Sequence, residues 1–175
     1  MKRSSVMLDV VEGHRPTTNL AEVLAVDTRL LFERVFPSIA VGDAERAVLA
    51  LPSITARMTN AGAILHRSFG LSCLTTLRAH PADTVRGWAP YVVGRDATLS
   101  LTERLDLVRP SADDGHFGVR EWAWLGIRAH IAANVCGGHR RADDLDAIDL
   151  AAGAQVRHRG HASARRVGDA DRAAA

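Results

Sequence analysis

Residues 116–131 read HFGVREWAWLGIRAHI and residues 83–89 read DTVRGWA, so that Val-Arg-x-Trp-Ala occurs twice at an offset of 34 residues. Val85, Arg86, Trp88 and Ala89 of the earlier copy match Val119, Arg120, Trp122 and Ala123 of the later one. A single helix pair cannot hide its apolar face alone, so a block recurring at this period predicts helical units stacked on neighbours of the same shape. What recurs is expected to be scaffold. Trp88 and Trp122 belong in the core, and Arg86 and Arg120 are expected to pair with an acid of the following unit.

What does not recur is informative in another way. Glu121 stands where the first copy has Gly87, Trp124 where it has Pro90, and Arg128 where it has Gly94. At 100° per residue, Val119, Ala123, Gly126, Ile127 and His130 form one packing stripe of a helix. Arg120, Trp124 and Arg128 follow one another at i, i+4 and i+8, with Phe117 and Glu121 beside them. These five are the candidate functional residues. For Glu121, an ion pair with Arg120 or Arg128 is an equal alternative to chemistry. Asp113 and Asp114 precede the helix and suit a capping role, while His116 and His130 read as helix-end or core histidines.

The 175 residues are 47% hydrophobic, 24% charged and only 5% aromatic, with a net charge of +2. That balance suits one globular domain, and the abundance of Ala, Leu and Arg favours helices over sheets. The slight basic bias permits a phosphate-binding face without requiring one. Helix punctuation divides the chain. The first helix should start at Thr18 or Asn19 and run through Val35 to Pro37, and a second should span Asp43 to Pro52. A third covers Ile54 to Ser68 before Gly70, and a fourth Leu71 to Ala79. A fifth is capped by Asp83 and closed by Gly94, and a sixth opens with the capping box Ser100-Leu-Thr-Glu103 and stops at Pro110. The motif helix comes last.

The expected architecture is all-α: a HEAT-like solenoid of stacked helical pairs over residues 18–150, because Val-Arg at the start of a unit's second helix is characteristic of HEAT-type repeats. Residues 1–17 contain Gly13 and Pro16 without sustained periodicity and are expected as a flexible arm. Residues 151–175 are rich in Arg and Ala, almost without large apolar side chains, and are expected as a disordered basic tail. The N-terminus lacks a signal-peptide core, and no apolar run approaches the about 20 residues that span a bilayer, so a cytoplasmic location with no membrane partner is expected. Cys73 and Cys136 read as reduced thiols. Cys136-Gly-Gly-His139 has no second ligand pair, so no metal is expected.

The run Leu101–Pro110, continuing through Asp113-Asp-Gly-His-Phe-Gly-Val-Arg-Glu-Trp-Ala-Trp124 to His130-Ile-Ala-Ala133, closely resembles the bacterial DNA alkylation-repair proteins, 3-methyladenine DNA glycosylases built from HEAT-like repeats. The likeness covers roughly residues 18 to 135, and Val-Arg-Glu-Trp-Ala-Trp is its most specific part. It implies binding of duplex DNA and excision of N3- or N7-alkylated purines by hydrolysis of the N-glycosidic bond, without a cofactor, in the cytoplasm and on the nucleoid. An alkylated purine is a cation with a weakened glycosidic bond, so the emerging sugar oxocarbenium needs a negative charge nearby. On that reading Glu121 supplies the charge and positions a water. Trp124 offers a π-face to the cationic base, with Phe117 beside it, and Arg120 and Arg128 hold flanking phosphates. The alternative is a non-catalytic helical-repeat module that binds DNA or another protein. A monomer is the working expectation. Relatives of this type continue with further repeats beyond residue 150, so the chain reads as C-terminally shortened, and a frameshift near Cys136–His139 is one origin for such a tail.

Overall fold

A computed structural model describes residues 5–135, in which every regular element is helical and no strand occurs. In order these are α1 (Ser5–Val11), α2 (Leu20–Ala25), α3 (Thr28–Val35), α4 (Asp43–Leu49), α5 (Ile54–Phe69), a 3-10 turn (Gly70–Cys73), α6 (Leu74–Arg78), α7 (Asp83–Arg95), α8 (Leu101–Ala112) and α9 (Phe117–Val135). Local chemistry sets most of the starts. Asn19, Ser53 and Ser100 each accept the backbone N–H three residues on, and Glu103 reaches back to Ser100 to complete the capping box. The tail expected at 151–175 and the thiol of Cys136 lie outside the described residues, whereas Cys73 is a buried free thiol.

Four expectations are corrected, the last of them the Asp83 cap described below. The helix foreseen from residue 18 to Val35 is two helices, because the Asp27 carboxylate accepts the Leu30 N–H and starts α3 afresh. The break frees the Val26 carbonyl, which Arg57 Nη1 captures at 2.9 Å. Pro110 does not stop α8, which runs two residues further to Ala112; a proline in the last turn removes one hydrogen bond at an end that already frays. The flexible arm is instead folded over residues 5–17. α1 forms there, and Val10 is buried in the core.

The reason is a buried polar knot. Thr17 donates both its N–H and its Oγ1 hydroxyl to the Asp83 carboxylate, each at 2.8 Å, and Asp83 is 1% exposed. His116 Nε2 bonds the Thr17 carbonyl at 2.7 Å, its Nδ1 accepts the Gly118 N–H, and the same Nδ1 lies 3.6 Å from Asp83 Oδ2. Asp83 therefore does not cap α7. Its cap position is Ala82, with no side-chain bond.

α5, α7 and α9 lie side by side with α7 in the middle; α4 packs on α5, α6 on α7, and α8 on both α7 and α9. α7 is buried around almost its whole circumference, and Trp88 at its centre is fully enclosed, with ring centroids 5.4 Å from Phe32 and 6.3 Å from Phe36. The α7–α9 contact is backbone on backbone. A Cβ on Gly126 would sit 2.7 Å from the Pro90 carbonyl carbon, one on Gly94 would strike the Gly126 carbonyl, and one on Gly87 would strike the Trp122 ring. Arg104 ties α8 to the C-terminal end of α7 through the Val93 and Asp96 carbonyls, and Arg78 reaches the Leu107 carbonyl. These guanidiniums add charged donors to carbonyls at and near helix ends, at a desolvation cost visible as lowered pKa values.

Gly126→Ala forces α7 and α9 apart and should lower stability by about 1–3 kcal/mol in urea unfolding. Gly115→Ala, where an added Cβ meets nothing within 4 Å, should leave the midpoint unchanged by comparison.

Candidate functional site

The motif helix begins at a loop that is built like the one before α7. Arg86 Nη1 donates to the carbonyls of His80 and Pro81, and Arg120 Nη1 to those of Asp114 and Gly115, the same positions six and five residues back. The Ala82 N–H donates to His80 Nδ1, as the His116 N–H, 34 residues later, donates to Asp114 Oδ1. The recurring arginine is thus a clamp that closes the loop onto the helix start.

Arg86 does more. Its Nε and Nη2 meet the two Asp114 oxygens at 2.8 and 3.1 Å, the expected pairing with an acid of the following unit. Burial alone would raise the Asp114 carboxyl, but the Arg86 guanidinium and the His116 N–H hold it below the usual carboxylate range. Arg120 departs from that expectation: its only hydrogen bonds among the described residues are those to its own loop. Asp114 serves the turn and the arginine, and His116 Nδ1 provides the cap through Gly118.

α9 divides as its periodicity predicts. Val119, Ala123, Ile127 and Trp122 are buried, and His130 Nε2 bonds the Gly94 carbonyl at 2.8 Å, fastening α9 to the end of α7. On the other side, Phe117 is 49% and Trp124 53% exposed, with Arg120, Glu121 and Arg128 also exposed. The structure therefore brings Phe117, Glu121, Trp124 and Arg128 onto one open strip, with Arg120 at its edge. Glu121 pairs with neither Arg120 nor Arg128, and neither Glu121 nor Arg128 has a hydrogen-bonded partner among the described residues. Sequence reasoning missed Tyr91, which lies close enough to feel both charges. Its phenol is buried without a hydrogen-bond partner among the described residues, and burial pushes its pKa up. Only the packing of α7 against α9 could have revealed it.

The stacking explains why the strip does not recur. Gly87, Pro90 and Gly94 are the surface of α7 on which α9 lies. Their counterparts Glu121, Trp124 and Arg128 have no helix upon them among the described residues. On α7, small residues stand where another backbone approaches closely. Non-recurrence at these three positions thus coincides with a difference in packing: the α7 positions are covered by α9, and the α9 positions carry no helix among the described residues.

A shallow cleft of about 520 Å³ opens elsewhere, at the N-terminal ends of α7 and α9, lined by Arg78, His80, Arg86, Asp114 and His116. Glu121 and Trp124 do not line it, and most of its polar groups are engaged with one another. Among the described residues no cluster of His, Cys, Asp or Glu could hold a metal, and no helix is long and apolar enough to cross a membrane. The Cys136…His139 spacing falls outside them. No family model, curated protein or solved structure matches the chain.

Because the Asp114 carboxyl is held low, its pairing adds stability above the unfolded carboxylate value near pH 4 and loses it as pH falls through the lower folded value. Asp114→Asn should cost about 2 kcal/mol at pH 7 and flatten the acid side of the stability profile, measured as urea midpoints from pH 7 to pH 2.

Proposed function

We propose that this chain is a helical-repeat protein of the DNA alkylation-repair type, and that its α9 face works as a docking surface for another helix and not as an excision site. Support for a HEAT-like repeat comes from the two loop clamps built alike 34 residues apart and from the side-by-side order of α5, α7 and α9. Support for the kinship is the block Val119-Arg-Glu-Trp-Ala-Trp124 with its flanking Leu101–Pro110 run.

One observation carries the choice between surface and enzyme: Glu121 is exposed on the counterpart of the face through which α7 receives α9, and it does not line the cleft. A carboxylate 4 Å from an oxocarbenium is worth about 1 kcal/mol in bulk water and about 4 kcal/mol at a protein surface, little of the 8 kcal/mol or more that enzymes supply. Exposed aromatics beside an arginine, by contrast, are the usual composition of a protein-binding hot spot.

The second reading is excision of an N3- or N7-alkylated purine from duplex DNA, with Glu121 facing the sugar, Trp124 and Phe117 the base, and Arg120 and Arg128 the phosphates. It is favoured by the gathering of Phe117, Glu121, Trp124 and Arg128 on one strip, which a bound duplex would itself dehydrate. Release of 3-methyladenine from alkylated duplex, measured for the wild type and Glu121→Gln, separates the two. Docking predicts no release that depends on Glu121. Release by the wild type that disappears in a normally folded Glu121→Gln protein would establish excision.

A further inference from the structure

We infer that the docked helix is α9 of a second copy of this chain, lying antiparallel across a two-fold axis that passes between Trp124 and Leu125. The inference rests on the docking reading above and adds the identity of the partner.

Three observations converge on it. The first is position: Glu121, Trp124 and Arg128 occupy on α9 the face through which α7 receives α9, and they carry no helix among the described residues. The second is apolarity. Phe117 and Trp124 stand about half exposed on this face, two large aromatic side chains on one helix strip.

The third is the charge pattern, which is complementary to itself. A two-fold axis at that point sets Glu121 opposite the second copy's Arg128 and Arg128 opposite the second copy's Glu121. At 1.5 Å per residue the two ion pairs lie about 10 Å apart, one on each side of the paired tryptophans. The same operation sets Phe117 over the exposed Ala132, an aromatic ring against a methyl group. A parallel arrangement would instead oppose Glu121 to Glu121 and Arg128 to Arg128, so charge selects the antiparallel pairing. Such an isologous contact is closed, leaves no face for a third copy, and engages both carboxylates and guanidiniums that lack partners within the described residues. Arg120, held by its own loop, takes no part.

The full-length protein supplies its own probe. Of its three tryptophans, Trp88 and Trp122 are buried, so emission that acrylamide can quench reports on Trp124. Sedimentation equilibrium over a concentration series, with quenching on the same samples, should give a dimer in which Trp124 becomes shielded as the dimer forms. Trp124→Ala should weaken association roughly tenfold or more. Glu121→Arg and Arg128→Glu should each weaken it, and the double swap should restore it, with circular dichroism confirming that every variant is folded. A monomer at all concentrations with freely quenched Trp124 overturns the proposal. So does a monomer whose Trp124 is shielded, which would place another occupant on the face, and so does a dimer indifferent to these variants. Glu121-dependent purine release would sink the docking reading itself; a monomer without such release sinks only the second copy.

Discussion

The backbone contact between α7 and α9 is the constraint on which the rest of the described fold depends. Gly87, Gly94 and Gly126 carry no Cβ because another residue's atoms already occupy that space: the Trp122 ring, the Gly126 carbonyl and the Pro90 backbone. With the helices this close, the core side chains of α7 can be enclosed on every side, and Trp88 can pack in a triangle with Phe32 and Phe36 with no exposed surface. Pro90 fits the same scheme. Its missing N–H costs α7 one internal hydrogen bond, and its ring gives α9 a flat surface to lie on.

Around this apolar contact, polar groups fasten the ends of the helices. The Thr17–Asp83–His116 knot joins three segments separated by 66 and 99 residues, and it is placed where α7 and α9 begin. Arg104 and His130 fasten the opposite end of α7 through the Val93, Asp96 and Gly94 carbonyls. Each of these groups is buried or half-buried and satisfied, so each adds direction to packing that hydrophobic burial alone leaves loose. The α9 strip has the opposite character: Phe117, Glu121, Trp124 and Arg128 are exposed, and Glu121 and Arg128 have no hydrogen-bonded partner among the described residues.

Much of this was legible in the primary structure. The all-α class, the helix starts at Asn19 and Ser100, the buried stripe of α9 and the burial of Trp88 and Trp122 follow from local rules: capping oxygens, 3.6-residue periodicity and a block that repeats. The pairing of Arg86 with an acid of the next unit follows from the repeat as well. Arg104 was not legible, since a charged residue in Leu101-Thr-Glu-Arg-Leu reads as a solvated face until the α7 carbonyls are seen to need donors. The ordered segment 5–17 was hidden for a related reason. Thr17 is an ordinary surface residue unless the Asp83 carboxylate, 66 positions away, lies beside it.

The amino-acid sequence by itself determined which segments coil, which side of each helix is apolar, and that Glu121, Trp124 and Arg128 differ from their counterparts. Those are properties of neighbours along the chain. Only the tertiary structure decided which of these positions another described helix covers. Whether a backbone passes over a position, as the Gly126 carbonyl does over Gly94, depends on contacts between residues more than 30 apart, and spacing along a chain carries no record of which side of a helix its neighbour will take.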